Sequence, residues 1–182
     1  MSMRLFVGIP LPASVVTELT RLTSRLRRSD DGLRWSAPES WHITLQFLGS
    51  AERNPYECAA ARLREIHRPQ FVVQLEAPGF FERTGVFYVA VHPSPELTSL
   101  ERHVVAATAI CGFTPETRPY HPHITLARSR SGPRGLGALK PTLHSQPEFS
   151  TFLAEEFFLY ESRPTPTGSH YEVRERFPLT AH

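Results

Sequence analysis

The chain has 182 residues, of which 40% are hydrophobic and 21% charged, and its formal net charge at pH 7 is only +2. This length is enough to bury a core, and the composition is typical of a soluble globular protein. The apolar stretches are far shorter than the roughly 18 residues of a membrane-spanning segment, which argues against a membrane protein.

Two features of the composition bear on the class of protein. Nineteen of the twenty basic residues are arginines, and Arg binds phosphate through two parallel hydrogen bonds. A compositional bias of the source explains the same skew, so charge alone does not predict a nucleic-acid partner. Cys58 and Cys111 fall in segments with a helical pattern, and we expect two buried free thiols in a cytoplasmic protein.

The first half of the sequence alternates strand and helix patterns. Apolar residues at helical spacing distinguish the helices, and β-branched and aromatic runs distinguish the strands. The pattern predicts strands over 4–9, 41–48 and 71–75 and helices over 13–28 and 54–67. The basic residues at the end of the first helix, 25–28, suit a helix C-terminus; a phosphate-binding patch is the alternative interpretation.

The second half continues in the same way. A turn over 78–85 leads into it, and Ser94 is a favoured N-cap for its long helix. The pattern predicts strands over 86–91, 121–127, 151–160 and 170–177, a helix over 95–110 and a short helix over 136–144.

One tetrapeptide, His-Ile-Thr-Leu, occurs twice, at 42–45 and at 123–126. Both copies lie in predicted strands, where successive side chains point to opposite faces. In the second copy Ile124 and Leu126 therefore oppose His123 and Thr125. Each strand holds an apolar face against a core and presents an imidazole beside a hydroxyl on the other face.

The same alternation assigns the residues that follow the first copy. Ile43, Leu45 and Phe47 are predicted to share the core face, and Gln46 is predicted to share the face of His42 and Thr44.

The order of the elements predicts an α+β protein with two pseudo-symmetric lobes. We expect antiparallel sheets to line a central cleft, with the helices outside. The two histidines lie 81 residues apart, close to half the chain, and a helix precedes each motif strand. Residues 1–85 and 86–182 are therefore interpreted as duplicated halves of one co-folded domain, each with one motif.

Two imidazoles and two hydroxyls indicate acid–base chemistry at phosphorus. A histidine holds or releases a proton near neutral pH, so two of them on one site supply an acid and a base. The threonine hydroxyls can donate to phosphate oxygens, where charge accumulates. A metal site would need three or four ligands, and neither motif contains a carboxylate or a cysteine. His121 is interpreted as structural, and the histidines outside the repeated frame as surface or packing residues: His67, His92, His103, His144, His170 and His182.

At these residues the sequence resembles the 2H phosphoesterases, a family named for two His-x-Thr-x motifs. The closest resemblance is to the RNA 2′,3′-cyclic phosphodiesterase branch, also called the 2′-5′ RNA ligase type. It extends over nearly the whole chain, with further similar segments at 4–10, 34–35, 159–163 and 168–171. Trp41 departs from the family, which often has Leu before the first histidine.

The resemblance implies a role for each motif residue. His42 would be the proton donor to the leaving 3′ oxygen, and His123 the base that activates water, without metal or nucleotide cofactor. Thr44 and Thr125 would hold the phosphate. The family also places an aromatic residue and an arginine five positions after the two histidines.

In this chain those residues are Phe47, for base stacking, and Arg128, for phosphate binding. An offset of five points to the opposite face of a regular strand, so a bend or the end of the strand would be required.

The expected substrate is RNA with a 2′,3′-cyclic phosphate end, or a nucleoside 2′,3′-cyclic phosphate, which a monomer would hydrolyse to a 2′-phosphomonoester. One alternative is reversible ligation and cleavage of 2′-5′ linkages, which uses the same atoms in reverse. Another is an RNA-end-binding module without turnover.

Overall fold

A computed structural model describes residues 1–28, 31–131, 136–137, 139–141 and 147–181. Within these ranges the chain has the predicted α+β fold. The helices are α1 (Ala13–Leu26), α2 (Arg53–Arg64) and α3 (Pro95–Ala109), with one 3₁₀ turn at Pro38–Ser40. The strands are β1 (Met3–Pro10), β2 (Leu33–Trp35), β3 (His42–Ala51), β4 (Phe71–Val73), β5 (Leu75–Phe81), β6 (Val86–Val91), β7 (His123–Ser129), β8 (Phe152–Ala154), β9 (Glu156–Thr165) and β10 (Gly168–Pro178).

The strands form two four-stranded antiparallel sheets. The first sheet has the order β10-β9-β1-β3, and the second has the order β2-β7-β6-β5; β4 and β8 form a separate pair. The two copies of the repeated tetrapeptide therefore lie in different sheets, on β3 and β7. These two strands contact each other where the sheets meet, which brings the two motifs to one region of the molecule.

Each sheet takes strands from both halves of the sequence. In the first sheet β1 and β3 lie beside β9 and β10, through the pairing of β1 with β9, and in the second β2 and β5 join β6 and β7. The predicted halves, 1–85 and 86–182, thus do not coincide with the two sheets, and their origin by duplication stays a prediction.

One hydrophobic core joins the inner faces of both sheets to the apolar faces of the helices. It contains Leu5 and Val7 of β1, Leu19 of α1, Leu100 of α3 and Leu126 of β7. The predicted cap of α3 is confirmed, because the Ser94 side chain accepts a hydrogen bond from the backbone N–H of Leu97. No helix in the described ranges has the length and apolarity needed to cross a membrane.

Three predicted boundaries differ from the structure. A turn was predicted over 78–85, but residues 78–81 belong to strand β5, because Phe80 and Phe81 pair with β6. The strand predicted over 151–160 is interrupted between β8 and β9, which pair with different partners. The short helix predicted over 136–144 includes residues outside the described ranges, so it stays a prediction.

The prediction of two buried free thiols is wrong, since Cys58 and Cys111 form a disulfide. Helices α2 and α3 pack side by side, and this packing brings the two Cα atoms to 5.8 Å, within the usual range for a disulfide. Both cysteines are half-buried. The sequence did not indicate the pairing, because the two cysteines are separated by 53 positions. The cytoplasmic location stays a prediction.

Candidate active site

The two motif strands share an irregularity directly after the threonine. On β3, Gly8 pairs with Thr44 and Val7 with Gln46, so Leu45 is an extra residue in the ladder. On β7, Tyr88 pairs with Thr125 and Phe87 with Ala127, which makes Leu126 the extra residue. A β-bulge of this kind reverses the alternation of side chains beyond it.

The bulges give the two strands the same burial pattern over seven residues. In each, the histidine and threonine are half-buried, and the fourth and fifth residues, Gln46 and Ala127 among them, are buried. The sixth residue is exposed: Phe47 on β3, with 60% of its surface accessible, and Arg128 on β7. The prediction that Phe47 faces the core and Gln46 the cleft is therefore wrong, because the bulge exchanges their faces.

The two imidazoles are held by the same hydrogen bond. Nδ1 of His42 lies 2.7 Å from the carbonyl oxygen of Ser40, and Nδ1 of His123 lies 2.7 Å from that of His121. Because a carbonyl oxygen can only accept, Nδ1 carries a proton in both rings and the neutral form has its lone pair on Nε2. Nε2 of His42 is 2.9 Å from the hydroxyl of Thr44, which donates to it when the ring is neutral.

Aromatic rings surround the first histidine. The ring of His42 lies 4.6 Å from that of Phe6 and 5.4 Å from that of Tyr171, centroid to centroid, with Tyr160 at 5.8 Å. Phe47 joins this group through Phe6, at 6.1 Å. The aromatic cluster belongs to the face of the first sheet opposite the main core.

The second histidine has a matching environment. The ring of His123 lies 4.8 Å from that of Phe81 and 5.4 Å from that of Tyr88, and these two rings stack on each other. The exposed ring of His121 is 6.0 Å from His123. The rings of Phe81 and Tyr88 did not stand out in the sequence, because they lie on β5 and β6 and only the pairing of the strands brings them to the motif.

Burial makes both histidines weak bases. The pKa of His42 is lowered to about 4, chiefly by burial; the hydrogen bond to Ser40 raises it, and the charge of a protonated His123 contributes to the lowering. Burial also lowers the pKa of His123, as do the charges of His121 and Arg128. Both rings are therefore neutral in the free protein at neutral pH.

One hydrogen bond connects the two motif regions directly. The hydroxyl of Tyr120, three residues before His123, donates to the carbonyl oxygen of Thr44 at 2.8 Å. Burial raises the pKa of Tyr120, so its hydroxyl keeps the proton it donates.

The arrangement suits proton transfer and anion binding. Thr125 and Arg128 follow His123 on the same strand and the same side, as Thr44 and Phe47 follow His42. No group of three His, Cys, Asp or Glu side chains in the described ranges is placed to hold a metal ion. The structure thus brings together the predicted imidazoles, hydroxyls, guanidinium and aromatic ring.

The chain is similar in sequence to one family model and to several proteins of known name. A family model described as the 2′-5′ RNA ligase superfamily matches residues 11–165. An RNA 2′,3′-cyclic phosphodiesterase of Geobacillus stearothermophilus is 32% identical over 181 residues, and this chain spans 56% of its length. A protein of the same name from Bacillus subtilis is 27% identical over 92% of each chain.

A solved structure has a similar fold. The crystal structure of Escherichia coli LigT complexed with 3′-AMP superposes with a TM-score of 0.85 at 27% identity, covering 99% of both chains.

Proposed function

The chain belongs to the 2′-5′ RNA ligase superfamily, and we propose that it hydrolyses RNA 2′,3′-cyclic phosphate ends to 2′-phosphomonoesters by paired-histidine acid–base catalysis without a metal ion. The observation that carries this proposal is the repeated frame of His42 and His123. Two imidazoles with the same Nδ1–H anchor each leave Nε2 to exchange a proton with a ligand. The names of the relatives from Geobacillus and Bacillus support this substrate class.

The proposed reaction requires one proton transfer on each side of the phosphorus. Neutral Nε2 of His123 takes a proton from a water molecule as the water oxygen bonds to phosphorus. The bond from phosphorus to the 3′ oxygen breaks, and protonated Nε2 of His42 gives its proton to that oxygen. The products are a 3′-hydroxyl and a 2′-phosphomonoester, and the proton on His123 returns to His42 through solvent before the next cycle.

The substrate itself must supply the charge that keeps His42 protonated. With a pKa of about 4, His42 is neutral in the free protein, whereas a proton donor has to carry the proton. A cyclic phosphate carries a negative charge, and an anion close to an imidazole favours its protonated form. Binding therefore raises the pKa of His42 and loads the donor only when a substrate is present.

The other side chains of the two strands act on the phosphate and the base. Thr44 donates to Nε2 of His42 in the free site. Once that nitrogen is protonated, it becomes a donor and the hydroxyl of Thr44 is released to donate to a phosphate oxygen. Thr125 and Arg128 donate to the phosphate from the second sheet, and Phe47 stacks on the terminal base.

The family description itself favours a second candidate, the joining or cleavage of 2′-5′ linkages. In this reaction a 5′-hydroxyl takes the place of water, and the same two histidines exchange the same protons. The two functions differ in the nucleophile, so the products separate them.

The test is to incubate the purified protein and EDTA with an oligoribonucleotide that ends in a 2′,3′-cyclic phosphate, and to identify the product by ³¹P NMR and mass spectrometry. We expect a 2′-phosphomonoester, formed as fast with EDTA as without it. A 3′-phosphomonoester, a 2′-5′-joined product or inhibition by EDTA would each contradict part of the proposal.

A matched variant series tests the two histidines. His42→Asn and His123→Asn should each lower kcat by about 10²-fold or more. His103→Asn is the control, because Nδ1 of His103 also lies 2.7 Å from a carbonyl oxygen, that of Ser99, outside the site. Near-normal turnover in either site variant would refute the acid–base roles.

A further inference from the structure

A pocket of about 670 Å³ lies at the end of β7 beyond the proposed catalytic residues. Its walls include Arg27, Arg34, Trp35, Arg128, Arg130 and Thr167. They come from the segment after α1, from β2 and β7 of the second sheet, and from the turn between β9 and β10 of the first sheet. We call it the arginine pocket.

Two of its arginines occupy directly opposite positions on neighbouring strands of the second sheet. Arg34 on β2 pairs directly with Arg128 on β7, and both side chains are exposed. Like charges at directly opposite positions of an antiparallel pair destabilise it. The pair of Arg34 and Arg128 does not stabilise the sheet, so its positive charge indicates a role in binding.

Among the described residues, no ion pair relieves the repulsion. In the described ranges none of Arg27, Arg34, Arg128 and Arg130 forms an ion pair with a carboxylate. Seven other described arginines do pair with glutamates: Arg53, Arg62, Arg64, Arg118, Arg163, Arg174 and Arg176.

Asp31 is a described carboxylate close enough to Arg27 for the charge of Arg27 to favour a lower pKa, but it forms no ion pair with Arg27 and its hydrogen bonds go to other groups. Its oxygens accept hydrogen bonds from the backbone N–H groups of Arg28 and Leu33 and from Nε1 of Trp35. The pocket therefore carries an excess of positive charge.

An aromatic ring is fixed beside these charges. Nε1 of Trp35 donates to Asp31 at 2.8 Å, and the ring meets Phe87 edge-on at 6.0 Å. Trp35 is only half-buried, so part of the ring stays accessible. Arginines next to an accessible aromatic ring are the usual components of a surface that binds single-stranded nucleic acid.

The pocket continues the proposed active site along one strand. Arg128 lines the pocket and is close enough to His123 to lower its pKa. At about 3.3 Å per residue, Arg130 lies roughly 20 Å along the chain from His123. A ligand anchored at the histidines reaches Arg130 at the far end of the pocket only if it is longer than one nucleotide.

We propose that Arg27, Arg34 and Arg130 bind the sugar–phosphate backbone of RNA upstream of its cyclic end, with Trp35 as a stacking platform. This subsite rests on the proposed function and makes the enzyme selective for oligonucleotides over nucleoside 2′,3′-cyclic phosphates.

The experiment compares two substrates, adenosine 2′,3′-cyclic phosphate and a hexaribonucleotide with a 2′,3′-cyclic end. Arg34→Ser and Arg130→Ser should each raise KM for the hexamer about tenfold, with KM and kcat for the mononucleotide unchanged. Each variant should also reduce the slope of log Kd against log salt concentration, for a hexamer with a 2′-phosphate end, by about 0.7. Arg102→Ser is the control, since Arg102 is exposed on α3, outside the pocket.

The outcomes separate the subsite from the reaction. An equal loss on both substrates, no loss on the hexamer, or an equal loss in Arg102→Ser would overturn the subsite. If the wild-type protein hydrolysed neither substrate, the proposed function would fail, and the binding of the hexamer would still test the pocket. The Arg34→Ser variant should unfold at the wild-type temperature or above it, because the substitution removes a repulsion. A loss of hexamer binding without a loss of stability would therefore assign the effect to the subsite.

Discussion

Each histidine of the site receives its orientation from the backbone two residues before it. The carbonyl oxygens of Ser40 and His121 bind Nδ1 of His42 and His123, respectively, and so select the same tautomer in both rings. A neutral imidazole in this tautomer accepts at Nε2, and a protonated one donates there. One geometry therefore serves both a proposed acid and a proposed base, and the two roles differ only in whether Nε2 carries the proton.

The threonine hydroxyls should affect the chemical step. Thr44→Val and Thr125→Val keep the shape of the side chain and remove one donor to the phosphate. We expect each to cost about 1–3 kcal/mol of transition-state stabilisation. Steady-state kinetics with the cyclic-end oligonucleotide should show this as a lower kcat, and an unchanged kcat in both variants would argue against a phosphate contact.

Phe47 should affect binding instead. Because Phe47 is 60% exposed, Phe47→Ala should leave the unfolding temperature almost unchanged. Loss of base stacking should raise KM by the equivalent of about 1–3 kcal/mol, with little change in kcat. Calorimetry measures the unfolding temperature of the variant, and kinetics on the same preparation measure its KM and kcat. A lower unfolding temperature with a normal KM would show that Phe47 contributes to packing and not to substrate binding.

The low pKa of His42 should make the protein less stable in acid. In the unfolded chain His42 takes up a proton near pH 6.5, whereas in the folded protein it does so only near pH 4. The free energy of unfolding should therefore fall as the pH falls from about 6.5 to about 4, by about 2–3 kcal/mol from this residue. Urea denaturation of the wild type and of His42→Asn at pH 7 and pH 4.5 measures it. The variant should lose less stability than the wild type, and equal losses would contradict the prediction.

At the scale of the secondary-structure elements, the β-bulge is the feature that assembles the site. A regular strand would direct the fifth residue after each histidine to the opposite face. One extra residue, Leu45 on β3 and Leu126 on β7, returns Phe47 and Arg128 to the face of the histidines. The extra leucine is itself buried in each strand, so the core holds the bulge in place.

Strand β1 must approach the first motif closely. A Cβ atom on Gly8 would lie 3.0 Å from the carbonyl oxygen of Ile43 and 3.3 Å from Cδ2 of His42. Gly8→Ala should displace the ring of His42 and lower kcat several-fold. Gly137→Ala is the control, because no atom of another described residue, its chain neighbours apart, lies within 4 Å of the added Cβ. Steady-state kinetics measure kcat, and an NMR titration measures the pKa of His42. An unchanged kcat and an unchanged pKa in Gly8→Ala would show that the strands adapt without moving the ring.

At the scale of the whole molecule, strands from distant parts of the chain combine in each sheet, and a covalent bond links two helical segments. Each sheet includes strands from both halves of the chain. The disulfide between Cys58 and Cys111 adds a connection between α2 and α3, on the helical side of the structure. The two motifs therefore lie on a framework in which neither sheet can form from one half of the sequence.

Loss of the disulfide should lower stability and not alter the site. It closes a loop of 53 residues, for which the chain-entropy model gives a stabilisation of about 4 kcal/mol. The unfolding temperature of the wild type should fall when dithiothreitol is added, whereas that of a Cys58→Ser, Cys111→Ser double variant should not respond. Identical unfolding temperatures of the wild type with and without reductant would contradict this prediction. We expect the wild type and the double variant to have the same kcat.

The sequence by itself determined the two motif strands, the helices before them, and the alternation that buries Ile43 and Ile124. These depend on neighbours within a few residues, and the repeated tetrapeptide also carried the family resemblance. Only the tertiary structure decided what depends on pairing between distant segments. The registers of β1 with β3 and of β6 with β7 create the bulges that expose Phe47 and Arg128. The packing of α2 on α3 joins the two cysteines. The pairing of β2 with β7 places Arg34 opposite Arg128, because residues so far apart in the chain meet only when the sheets have formed.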